Sequence, residues 1–166
     1  CILKAMSYVE IERKFLVDPK KLPYPLQPLK ATPITQGYLS DDPWVRIRLV
    51  GDHDALLTIK GKGNVTRQEF EFPIPRDAAQ QMLDTLCKST LSKVRYELEY
   101  RDHIWSVDQF AGNLAPLWLA EIELHSEDEP FEIPPWATEE VSDKVQFTNA
   151  YLAKNYGNHP WKPSNS

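Results

Sequence analysis

The sequence predicts a mainly β fold of the α+β class, and three observations carry that prediction. At least six segments alternate charged and apolar residues with a period of two, the mark of strands with one wet face and one apolar face. Clusters of Gly, Asn, Asp and Pro separate these segments and read as turns. One stretch, residues 76–87, breaks the rhythm with a helical apolar stripe, and a second short helix is expected near the C-terminus.

Taken in order, residues 9–15 place Glu10, Glu12 and Lys14 on one face, with Val9, Ile11 and Phe15 opposite. Same-face neighbours along a strand lie about 7 Å apart, close enough for both glutamates to share a hydrated cation. Asp18-Pro19 is a helical-turn signature, and prolines 23, 25, 28 and 33 predict irregular chain up to a short strand at 36–40. Residues 45–50 put Arg46 and Arg48 on one face, and residues 55–62 do the same with Thr58, Lys60 and Lys62. A turn through Gly61, Gly63 and Asn64 leads to 66–74, where Arg67, Glu69 and Glu71 oppose Phe70 and Phe72. The 76–87 helix carries Ala79, Met82, Leu83 and Leu86 on its stripe. Residues 93–101 align Lys93, Arg95, Glu97 and Glu99, and 103–109 form the hairpin partner, with Ser106 and Asp108 together. Residues 117–125 set Glu121 and Glu123 either side of Ile122; an acidic, proline-bearing loop (126–135) follows. Residues 149–154 are the second helix and 156–166 a polar tail.

Composition limits the function classes. A chain of 166 residues, 42% hydrophobic and 26% charged, is an ordinary soluble domain with enough length to bury a core. Its net charge of -5 argues against general nucleic-acid binding, so any anion site must be local. Cys1 and Cys87 are too few for a disulfide framework, and no apolar run approaches membrane-spanning length. These features predict a cytoplasmic protein without nucleic-acid or membrane partners. The domain is expected over residues 6–155, with 1–5 a leader ahead of Met6, and a homodimer is a possible assembly. The four histidines lack ligand spacing and read as surface or loop residues, and Trp105, Trp118 and Trp136 read as packing anchors.

Eight basic residues share the charged faces: Lys14, Arg46, Arg48, Lys60, Lys62, Arg67, Lys93 and Arg95. Two architectures accommodate such strands. In a sandwich the apolar faces meet and the charges look outward; in a closed antiparallel barrel the charged faces line a wet cavity and helices cover the apolar exterior. The alternation fits both, although rows made almost wholly of Glu, Lys and Arg are unusual for a merely solvated face.

Glu10-Ile11-Glu12-Arg13-Lys14 resembles the Glu-x-Glu-x-Lys signature of the CYTH proteins, the triphosphate tunnel metalloenzymes. Arg46-Ile47-Arg48, Thr58-Ile59-Lys60, Arg67-Gln68-Glu69-Phe70-Glu71, Lys93-Val94-Arg95-Tyr96 and Glu121-Ile122-Glu123 follow in the family's order. The resemblance spans residues 7–154 and implies a closed eight-stranded antiparallel β-barrel, a triphosphate tunnel with charged interior and helices packed outside. It further implies hydrolysis of inorganic triphosphate to pyrophosphate and phosphate. Adenylate cyclase of the class IV type, nucleoside or thiamine triphosphatase, and a non-catalytic polyphosphate or nucleotide binder are the alternatives. Glu10, Glu12, Glu121 and Glu123 are the expected metal ligands, and their oxygen-only donor set suits Mg²⁺ or Mn²⁺ rather than Zn²⁺. The eight basic residues are the expected substrate ligands, because arginine offers two-pronged and lysine point-charge contacts to phosphate. Glu69, Glu71 and Asp108 are candidates to activate water, and Lys93 joins the catalytic set. In one departure, the family's basic residue before aromatic-x-Asn is missing at Phe147-Thr148-Asn149, with Lys144 displaced upstream, from where it would reach the tunnel mouth.

Overall fold

A computed structural model describes residues 8–26, 31–156 and 160–162. The expectations for residues 1–5, Pro28, His159 and the end of the tail fall outside these. The described chain forms β1 (Val9–Val17), β2 (Ala31–Asp41), β3 (Trp44–Val50), β4 (Asp54–Lys60), β5 (Thr66–Pro73), α1 (Arg76–Thr85), β6 (Thr90–Tyr100), β7 (His103–Phe110), β8 (Trp118–Glu123), β9 (Ala137–Glu140) and α2 (Asn149–Tyr156). Strand order is β5-β4-β3-β2-β6-β7-β8-β1-β9, and a further β5–β1 pairing closes eight strands into an antiparallel barrel. Closure pairs the two ends of the eight-strand run and settles the choice between sandwich and barrel.

β1 makes the closure possible because different parts of it serve different partners. Val9–Ile11 pair with β5, Glu12–Leu16 pair with β8, and Phe15 and Val17 pair with the ninth strand, β9, on the edge away from β8. The short β9 has no apolar alternation to announce it; its place is set by pairing with β1 and by Arg13, whose Nε donates to Glu140 at 2.8 Å.

The apolar faces point outward and are covered. Ala79 and Leu83 of α1 pack on Ile47, Leu49 and Ala55 of β3 and its neighbour. Trp105, Val107, Trp118 and Ile122 pack with Phe15, Leu22 and Trp136, so the three expected tryptophan anchors are all buried. α2 lies across one end of the barrel. Its Leu152 and Ala153 meet Leu91, Phe110 and Leu119, which share the inward parity of Lys93, Asp108 and Glu121. Among the described residues no helix is long and apolar enough to cross a membrane.

Three local expectations are corrected. β2 runs through Pro33 instead of starting at residue 36, because residues 31–33 already pair with β6 while the ladder with β3 begins only at Ile34. α1 ends at Thr85, so Leu86 becomes its cap and is 61% exposed. β4 ends at Lys60, which leaves Lys62 in the following turn.

Candidate active site

The inward faces surround a cavity of about 670 Å³. Strand register decides which charges meet. Across β1 and β8, Glu12 stands opposite Glu123 and Lys14 opposite Glu121; across β1 and β5, Glu10 faces Arg67. Lys60 faces Glu69 and Thr58 faces Glu71, while Arg48 faces Gln36 and Arg95 faces Asp108.

One side of the cavity is acidic. Carboxylate oxygens of Glu10, Glu12 and Glu123 lie within 4.8 Å of one another. Burial raises the Glu10 carboxyl, but Lys60, a hydrogen bond with Glu12 and Arg67 outweigh it and hold Glu10 well below the usual range. Glu12 moves the other way: burial, then the charges of Glu121 and Glu10, push it well above the usual range. Three crowded carboxylates with no histidine or cysteine in the group fit a hard divalent cation, which would relieve their repulsion. Glu121 stands apart from this trio, with Lys14 at 3.4 Å and Arg95 at 3.3 Å. Against the effect of its burial, Lys14, Arg95 and Lys93 hold it well below the usual range.

Beside it lies a hydrogen-bonded basic lattice. Arg95 grips Asp108 with two bonds of 2.7 and 2.8 Å, and Lys93 Nζ donates to the same carboxylate at 2.7 Å. Burial opposes ionisation of Asp108, yet Lys93 and Arg95 bring it down to about 2. Full burial lowers Lys93 to about 7, against the pull of Asp108 and with the help of Arg95 and Arg48. Arg48 falls to about 9 through burial and the neighbouring charges of Arg46 and Arg95. Its Nε donates to Gln36 Oε1 at 2.8 Å. Arg46 donates to Thr58 at 3.2 Å and faces Glu71 at 3.5 Å, while its buried Nε has no partner among the described residues. A surplus of donors beside a wet cavity is chemistry suited to an oligophosphate.

Fourteen of the fifteen residues singled out in the sequence gather here: Lys14, Arg46, Arg48, Lys60, Arg67, Arg95, Glu10, Glu12, Glu69, Glu71, Glu121 and Glu123 line the cavity, with Lys93 and Asp108 buried behind them. Lys62 is exposed in the turn after β4 and lies outside the lining. Lys144 is paired with Glu139 instead of reaching the tunnel. Glu97, by contrast, does line the cavity, as does Tyr38. His53 and His125 are exposed, and His103 is tied to Glu129 at 2.7 Å, away from the cavity. Sequence reasoning missed Asn149, which accepts from Lys93 Nζ at 2.9 Å and from Gln36 at 3.3 Å. The aromatic-x-Asn motif was its available signal, obscured by the missing cation beside it.

An eight-stranded barrel enclosing a carboxylate trio against arginines and lysines defines a triphosphate-tunnel type of protein. The CYTH domain model matches residues 9–152, and the chain belongs to that family. It is 36% identical to an inorganic triphosphatase of Acetivibrio thermocellus, over 88% of this chain and 94% of that protein. It is 37% identical to an inorganic triphosphatase of Nitrosomonas europaea, over 87% and 96% respectively. A crystal structure of an inorganic triphosphatase superposes with a TM-score of 0.61 at 35% identity, covering 87% of this chain and 93% of the other.

Proposed function

We propose that this protein is a divalent-metal-dependent hydrolase that cleaves inorganic triphosphate to pyrophosphate and phosphate. The observation that carries the proposal is the charge content of the cavity, where the carboxylate oxygens of Glu10, Glu12 and Glu123 lie within 4.8 Å of one another and cations of β3, β4 and β6 share the lining. The relatives named as inorganic triphosphatases support it.

Glu10, Glu12 and Glu123 would hold the metal. Mg²⁺ or Mn²⁺ bound there supplies charge that offsets carboxylate repulsion and polarises phosphoryl oxygens. Arg46, Arg48, Arg95, Lys14 and Lys60 then bind the phosphate chain and stabilise charge developing on the leaving pyrophosphate. Asp108 is a poor base, because Lys93 and Arg95 hold it ionised; it positions those two cations. Lys93 is enclosed between Asp108 and Asn149 and acts in the same way, as a positioning residue. Acceptance of the water proton falls to Glu69 or Glu71, which face the cavity from β5. The two cysteines give no sign of an oxidising compartment, and the proposal includes a cytoplasmic location.

A second reading, hydrolysis of an organic triphosphate, draws on exposed Tyr8 and Ile104 in the cavity lining, which offer apolar surface to an organic group. The deciding experiment presents tripolyphosphate, ATP and thiamine triphosphate with Mg²⁺ or Mn²⁺ and follows phosphate, pyrophosphate and cyclic AMP. Fastest turnover is expected with tripolyphosphate. Cyclic AMP as the main product, or no turnover at all, rejects the proposal.

A further inference from the structure

The geometry points to Asn149, together with the first turn of α2, as an uncharged phosphate-binding group at the end of the cavity that α2 covers. Thr148, Asn149 and Ala150 all line the cavity, and Asn149 is only 9% exposed. The orientation of its carboxamide is fixed by obligate donors at both ends of a chain of bonds. Arg48 Nε can only donate, so Gln36 must present Oε1 to it and turn Nε2 toward Tyr38 and Asn149. Lys93 Nζ can only donate as well. Both donors therefore require Oδ1 of Asn149, which accepts them at 3.3 and 2.9 Å. Nδ2 is left with no acceptor among the described residues.

The backbone adds donors of the same sense. Thr148 caps α2: its Oγ1 accepts the Tyr151 N–H at 3.2 Å and its carbonyl accepts the Leu152 N–H at 3.0 Å. The N–H groups of Asn149 and Ala150 precede the first intrahelical bond, and no acceptor for them is found among the described residues. A helix N-terminus favours an anion through these donors and its dipole. A third cation here would be pressed against Lys93 and Arg48, whereas a neutral donor adds a phosphate contact without that repulsion. Such a donor would let the C-terminal segment bind phosphate although Lys144 is engaged with Glu139.

The inference rests on the triphosphate reading, and two substitutions separate the donor role from support of Lys93. Asn149→Asp keeps an oxygen for Lys93 and Gln36 but replaces the Nδ2 donor with an acceptor and adds a negative charge, whose share of the loss is read from the ionic-strength dependence of binding. Asn149→Ala removes both. Titration calorimetry of chelator-treated protein with tripolyphosphate reads binding without turnover. Asn149→Asp is expected to bind at least about tenfold more weakly than wild type and no better than Asn149→Ala, with KM raised more than kcat is lowered. Wild-type affinity in Asn149→Asp, or a weaker Asn149→Ala than Asn149→Asp, overturns the inference. In the unsubstituted protein, the ¹⁵N side-chain resonance of Asn149 should move on adding tripolyphosphate; an unmoved resonance overturns the inference even where the variants fold poorly. A wild-type protein that binds neither tripolyphosphate nor pyrophosphate fails the triphosphate reading itself, whatever the variants do.

Discussion

Glu12 lies between Glu10 and Glu123 on the acidic side of the cavity, and burial with the charges of Glu121 and Glu10 pushes its carboxyl upward. In the metal-free protein this is a destabilised anion; with a cation in place it would become a ligand. Glu12→Gln keeps the shape and removes the charge. Loss of an outer partner to a metal ligand typically costs roughly 10–100-fold, and a direct ligand should cost no less. Turnover of tripolyphosphate should therefore fall by at least about tenfold in Glu12→Gln, while the unfolding midpoint in chelator stays level or rises because like-charge repulsion is relieved. Near-normal turnover would remove Glu12 from the metal site.

At the scale of elements, α1 can approach β2 only because Gly37 has no side chain. A Cβ there would lie 2.9 Å from Cys87 Cβ and 3.1 Å from Leu83 Cδ2. Gly37→Ala should push α1 off its seat and destabilise the protein by about 1–3 kcal/mol, measured by denaturant midpoint, with KM little changed because α1 contributes nothing to the cavity lining. At the β6–β7 hairpin, a two-residue turn with positive φ at Arg101 and Asp102 delivers His103 to Glu129 in the 126–135 loop. The hydrogen bond to Glu129 raises the His103 pKa above its ordinary 6.5. The folded state thus holds the proton more tightly than the unfolded chain. The resulting stabilisation is complete below about pH 6.5 and is lost as pH rises through the raised value. His103→Gln should accordingly lower the thermal midpoint at pH 5.5 and leave it almost unchanged at pH 9; an equal loss at both would show that packing, not charge, holds the loop.

For the molecule as a whole, the acidic trio spans two neighbouring strands, since Glu10 and Glu12 come from β1 and Glu123 from β8. A cation bound there would tie two strands and bind the folded state alone. Linkage predicts stabilisation of about 2.7 kcal/mol at a metal concentration 100 times the dissociation constant. Thermal melts of chelated protein should therefore rise on adding Mg²⁺ or Mn²⁺ and fall again with chelator, and Glu12→Gln should abolish the rise. No shift in the wild type would reject a metal site in this cavity. The molecule also reconciles an overall charge of -5 with an anionic substrate, because its usable cations are concentrated inside while much of the acidic surplus lies on exposed segments such as 126–132.

The sequence by itself determined the period of two, and with it which side of each strand is charged. That is why the alternation alone puts Glu10, Arg46, Lys60, Arg95 and Glu121 each on the charged face of its own strand. Parity is a local property fixed by the alternation of Cβ atoms along a strand. Tertiary structure decided everything that depends on which strand lies beside which. The β1–β5 pairing turned the charged faces inward, and the β1–β8 register put Glu123 with the carboxylate trio while giving Glu121 to Lys14 and Arg95. Lys62 shares the parity of Lys60 but falls beyond the end of β4, because alternation says nothing of where pairing stops. β9 was illegible for a related reason, and the aromatic-x-Asn motif marked Asn149 without its role: a lone amide and a four-residue strand acquire their roles only from partners more than fifty residues away.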